Sequence, residues 1–103
     1  MYIRKLRNQR EMTLTHLAAK LDMDSANLSK IETGKREFDE KRLSKLAEAL
    51  NIELEVIQNE FLSDLIAKRL YKVENYDSVL TLAEDKIKYY KSINIQQGKL
   101  LFK

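Results

Sequence analysis

A chain of 103 residues is long enough for one domain with one core. With 44% apolar and 34% charged residues, no Pro and two Gly, it has the composition of a soluble helical protein and few natural breaks. It contains no apolar run of membrane-spanning length and no signal peptide, which makes the cytoplasm the expected compartment. It has no Cys, which excludes a disulfide framework and a Cys-based zinc site.

The net charge of +3 is unevenly spread. Residues 1–36 hold eight Lys or Arg against four acids, residues 37–85 six against twelve, and residues 86–103 five Lys and no acid. The leading third is therefore basic, as a phosphate-binding surface requires.

A first helix is predicted over residues 2–10, with Ile3, Leu6 and Arg10 on one side and Arg7 beside Leu6 at the core edge. A free surface cation is the plain alternative for Arg7. Arg4, Lys5 and Arg10 can flank DNA or serve solubility. The next apolar set, Leu14, Leu17, Ala18 and Leu21, is spaced for one helical face, with Thr13 as its N-cap. His16, the only histidine, falls on the polar side, where phosphate contact or simple exposure is expected in preference to metal binding.

A turn follows, and then a second short helix begins at Ser25 behind an Asp24 N-cap, carries Leu28 and Ile31 inward, and stops at Gly34. Two short helices joined by a tight turn make a helix-turn-helix. At 100° per residue, Ala26, Ser29, Lys30 and Thr33 lie opposite Leu28, and Ser25 and Asn27 lie on the flanks. Such a face is small and polar with one long cation. Asn pairs with adenine edges, Lys donates to guanine, and Ala or Thr methyls meet thymine. Ser25, Ala26, Asn27, Ser29 and Lys30 are the candidate base-reading residues; Thr33 and His16 are candidate phosphate contacts. A solvated polar face is the bland alternative for this helix taken alone.

Asp39 caps a further helix over residues 40–50, whose Leu43, Leu46, Ala47 and Leu50 close the core. After a turn at 51–53, a long helix is predicted over residues 54–71, with Leu54, Ile57, Phe61 and Leu65 on one stripe and Leu62, Ile66 and Leu70 beside it. Residues 72–75 form a turn, and a last helix over 76–92 carries Val79, Leu82, Ala83, Ile87 and Tyr90. Intramolecular packing is one use of these faces. A homodimer interface through Phe61, Leu62, Leu65, Val79, Leu82 and Ile87 is the favoured one, since two-fold symmetry lets such domains read two half-sites. The tail, residues 93–103, carries no helical signal, and a disordered end and a strand-like arm both fit it. The expected division is thus 1–53 for DNA binding, 54–92 for dimerisation and 93–103 as tail. With no Gly-rich phosphate loop, Ser-His or Cys-His pairing, or metal-ligand cluster, no catalytic residue, cofactor or metal is expected.

At Leu6-Arg7, Thr13, Leu17-Ala18, Leu21, the run Leu28 to Arg36 (LSKIETGKR), Leu43, Leu46-Ala47, Leu50 and Ile52, the chain resembles the lambda-repressor-like, or XRE, family of helix-turn-helix regulators. The resemblance covers residues 3–57. It implies an all-α, five-helix lambda-repressor-like domain, here with a long C-terminal helical extension, that binds double-stranded DNA in the major groove. By resemblance, Ser25, Ala26 and Lys30 face bases, Thr13, Lys35 and Arg36 approach phosphates, and Arg7 pairs with Glu32. Three positions depart from the pattern: Leu14 stands where Gln is usual, Asp22 where Gly is usual, and Phe38 where Pro is common. The FLSD stretch at Phe61 to Asp64, followed by another helix, is similar to small regulators encoded beside DNA methyltransferases, which implies a restriction–modification controller. An antitoxin-type autorepressor and a protein-interaction module that does not use DNA are the alternatives.

Overall fold

The computed structural model describes residues 2–97, with side chains through 94. Among the described residues there are six α-helices and no strand: α1 (Ile3–Gln9), α2 (Leu14–Lys20), α3 (Ser25–Glu32), α4 (Leu43–Leu50), α5 (Leu54–Leu70) and α6 (Tyr76–Gln97). The helix expected over 40–50 begins as a 3-10 turn, Glu40–Arg42, before α4. Asp39 accepts the Lys41 N–H at 3.0 Å there. The tail expected to be non-helical from residue 93 instead continues α6 to Gln97. No Gly or Pro interrupts the chain between Gly34 and residue 97, so nothing in the backbone stops the helix earlier. The rest of the tail, 98–103, lies outside the described residues.

The chain divides into two compact units, Met1–Ala67 and Lys68–Lys103. In the first, Ile3, Leu17, Ala18, Leu21, Leu28, Leu43, Leu46, Ala47 and Leu50 are buried at the helical spacings that place them on inward faces. The unit extends past residue 53 because Ile57 and Phe61 of α5 are buried in the same core, with Leu65 packed partly against it. Phe61 and Leu65, expected at a dimer interface, are therefore placed in or against this core. Phe38, standing where a Pro is common, is buried too, carried inward by the extended segment before the 3-10 turn.

α1 to α4 all close in the same way. A residue two or three past each end donates its N–H to a carbonyl five positions back, and the residue before it donates to one three positions back. These are Met12 to Arg7 at 3.2 Å with Glu11 to Asn8, and Met23 to Ala18 at 3.0 Å with Asp22 to Ala19. In α3 they are Lys35 to Lys30 at 2.9 Å with Gly34 to Ile31, and in α4 Ile52 to Ala47 at 2.9 Å with Asn51 to Glu48. The pivot takes positive φ each time, on Glu11 (52°), Asp22 (54°), Gly34 (81°) and Asn51 (53°). Met12, Met23 and Ile52 then pack against the core as apolar anchors. In α3 the corresponding residue is the exposed cation Lys35.

The second unit is different in kind. From Tyr76 to Ser92, no residue of α6 is buried. Its exposed apolar side chains include Tyr76, Val79, Leu80, Leu82, Ile87 and Tyr90. No helix among the described residues is long and apolar enough to cross a membrane.

Candidate nucleic-acid interface

The helix-turn-helix comprises α2, the turn and α3. Thr13 Oγ1 accepts the His16 N–H at 3.1 Å, and Asp24 Oδ1 accepts the Asn27 N–H at 2.7 Å, so each helix starts on a side-chain cap. The turn between them needs a left-handed residue, and Asp22 adopts that conformation. Lys45 of α4 donates to the Asp22 carboxylate, holding its pKa below the ordinary range, with the Lys45 charge adding to the hydrogen bond. Arg42 Nη1 donates to the Leu21 carbonyl at 2.6 Å, placing a cation at the negative end of α2. Arg10 does the same for α4, its Nε bound to the Leu50 carbonyl, and is therefore a structural cap and not a cation free to flank DNA.

The inner face of α3 is fixed by Leu28 in the core, Ile31 against it, and Glu32. The Glu32 carboxylate is fully enclosed, with no exposed side-chain area. Arg7 meets it with both tines of its guanidinium, Nε at 2.8 Å and Nη2 at 2.9 Å, while Nη1 donates to the Met12 carbonyl at 2.9 Å. The hydrogen bond to Glu32 raises the Arg7 pKa above its ordinary value, with opposite charge adding to it against burial. Arg4 adds a longer contact, Nε to Oε1 at 3.3 Å, from an exposed position. A fork of this geometry joins α1 to the last turn of α3 and sets how α3 is rotated.

With that rotation fixed, Ala26, Lys30 and Thr33 are exposed on α3, followed by exposed Lys35 and Arg36. Ser25, Asn27 and Ser29 are half-buried at its margins. Ser25 Oγ donates to Thr15 Oγ1 of α2 at 3.4 Å. Asn27 has a second attachment: its side-chain carbonyl oxygen accepts from Arg36 Nη1. The side chain expected to read a base thus also braces a cation beyond the helix. Thr33 donates its hydroxyl proton back to the Ser29 carbonyl at 3.0 Å, so that proton is engaged within the helix and would have to be released before Thr33 could donate to a phosphate. Thr13 uses a lone pair as cap acceptor and keeps its O–H for donation. Thr13 and His16 are both exposed beside α2.

Spacing alone shows only part of this. The Arg10–Leu50, Arg42–Leu21, Asp22–Lys45 and Asn27–Arg36 contacts join positions that no local period relates. Among the described residues, no group of His, Cys, Asp or Glu could hold a metal ion.

A helix-turn-helix family model matches residues 3–57, just over half of the chain. No curated protein and no solved structure gives a match. The fold and this site define a DNA-binding helix-turn-helix protein of the transcription-regulator class. The chain belongs to the XRE-type helix-turn-helix family.

Proposed function

We propose that this protein is a sequence-specific transcriptional regulator that binds duplex DNA as a homodimer, and that it is not an enzyme. α3 enters the major groove, with Ala26 and Lys30 at base edges and Ser25, Asn27 and Ser29 at the margins of the contact. Lys35, Arg36, Thr13 and His16 lie along the phosphates. The observation that carries this reading is the rotation of α3. Glu32 and Leu28 hold one side in the protein, and the opposite side offers small residues and a single long cation to solvent. An outer face without bulky side chains lets a helix sit deep in a groove.

Exposed Leu62 and Ile66 on α5, and Val79, Leu82 and Ile87 on α6, support the homodimer, since apolar helix faces of this width are ordinarily covered. The restriction–modification subtype rests on the FLSD stretch, and Phe61 within it is buried as core. We therefore set the proposal at a dimeric regulator and leave its operon to gene neighbourhood. Selection of bound sequences from a random duplex pool, at stated salt, tests it. The expected product is a two-fold symmetric motif whose half-sites lie about one helical turn, or a multiple of it, apart. Enrichment of no motif would overturn sequence-specific binding.

A further inference from the structure

α6 lacks what usually keeps a helix folded. An isolated helix gains little from propensity alone and depends on packing an amphipathic face. Here that face is present, and none of it is buried through Ser92. At 100° per residue, Tyr76, Val79, Ala83, Ile87 and Tyr90 lie within about 40° of one another's mean direction. Asp77, Ser78, Thr81, Asp85, Lys88 and Ser92 lie on the far side.

Two features of this stripe are self-complementary. Its members stand four and seven residues on either side of Ala83, so the pattern reads the same in both directions. Aromatic residues stand at both ends, β-branched ones inside them, and the smallest side chain at the centre. Charge changes sign two residues past that centre, between Asp85 and Lys86. Residues 74–85 hold Glu74, Asp77, Glu84 and Asp85 with no base, and residues 86–97 hold Lys86, Lys88 and Lys91 with no acid.

We infer that α6 pairs with α6 of a second copy in antiparallel orientation, crossing at Ala83. In that register Val79 of each copy meets Ile87 of the other, Tyr76 meets Tyr90, and Ala83 permits close approach on the two-fold axis. The acidic start of each helix lies along the lysine-bearing end of its partner. Glu84, which falls near the axis, is held by Lys88 of its own helix at 3.2 Å. A parallel pair in register sets each charged half of the helix alongside the same half of its partner, which is unfavourable. The inference rests on the homodimer proposed above and adds its interface, orientation and register.

The chain contains no Cys, so single cysteines report cleanly. Val79→Cys and Ile87→Cys are each made in the full chain, checked by circular dichroism, and oxidised separately and as a mixture of subunits. The two positions are about 12 Å apart along one helix, too far for a disulfide between like positions in the antiparallel register. The expected result is disulfide-linked dimer in the mixture, involving about half of the chains, and only background in each variant alone. Cross-linking of Val79→Cys with itself overturns the antiparallel register while leaving the homodimer intact. Dimers in light scattering without cross-links in any sample overturn α6 as the interface. A monomer at micromolar concentration overturns both this inference and the dimer beneath it.

Discussion

Arg7 and Glu32 form a two-pronged ion pair in which the Glu32 side chain is fully enclosed and the Arg7 side chain nearly so, at 12% exposure. It joins the first helix to the last turn of the helix that faces outward. Removing one partner strands a desolvated charge, at about 3–5 kcal/mol. Thermal melts of Arg7→Ala and Glu32→Ala should both fall steeply. Arg4→Ala, removing an exposed cation from the same carboxylate, should cost under about 1 kcal/mol. Equal small shifts in all three would contradict an enclosed pair. Arg7→Lys should fall between, since an ammonium cannot fork.

Lys30 and Lys35 separate reading from holding. Lys30 is exposed on α3, and Lys35 is exposed beyond Gly34. Lys30→Ala should cost about 1–3 kcal/mol on the selected site and relax the choice of one base pair. Lys35→Ala should weaken selected and scrambled duplexes alike and lower the salt slope by about one. Equal losses on both duplexes for Lys30→Ala would show it to be a phosphate contact.

Asn27 braces Arg36, and this makes its expected effect unlike that of a base reader. Asn27→Ala frees the Arg36 guanidinium, so affinity should drop on selected and scrambled DNA together. Arg36→Ala should then add little to Asn27→Ala in a double-mutant cycle. Loss confined to the selected site would return Asn27 to direct base reading.

Asp22 and Lys45 give a pH signature. The Asp22 carboxyl is lowered in the folded protein, so its contribution is present above the unfolded carboxyl pKa of about 3.9. It is lost as pH falls through the lowered folded value. In Asp22→Asn, which keeps a residue tolerant of positive φ, unfolding midpoints should lose that part of the acid dependence. An unchanged pH profile between wild type and variant would show the contact to be without energetic consequence.

Glu11 is exposed at positive φ. An L-residue there costs about 1–2 kcal/mol, and Gly gives back about 0.4–1 kcal/mol through unfolded-chain entropy. Glu11→Gly should therefore stabilise by roughly 0.5–1 kcal/mol, read as a raised urea midpoint at constant m.

Much of the fold is legible in the chain because it is written locally. Thr13, Asp24 and Asp39 mark helix starts, Gly34 a stop, and the Leu17–Leu21 and Leu43–Leu50 spacings the buried faces. The joint role of α5 is not local. Ile57, Phe61 and Leu65 share one side of that helix, while Leu62, Ile66 and Leu70 lie around the other, so no single stripe distinguishes core from interface. The end of α6 was hidden for the opposite reason: weak amphipathicity after Ser92 resembles a tail, although nothing breaks the backbone. At the interface, the outward residues of α3 follow from the wheel. The Asn27–Arg36 brace does not, because its partners stand nine residues apart across the end of a helix, where the helical period no longer holds.

Three of the four matched helix ends are pinned by an apolar side chain, whereas the end of α3 is followed by Lys35. A stop without an anchor opens at lower free energy than one tied into a core. The amide proton of Lys35 should exchange with solvent faster than those of Met12, Met23 and Ile52, which make the same bond. Lys35 can then adjust to the spacing of a phosphate backbone without disturbing α3, and its amide should become protected when duplex DNA is bound.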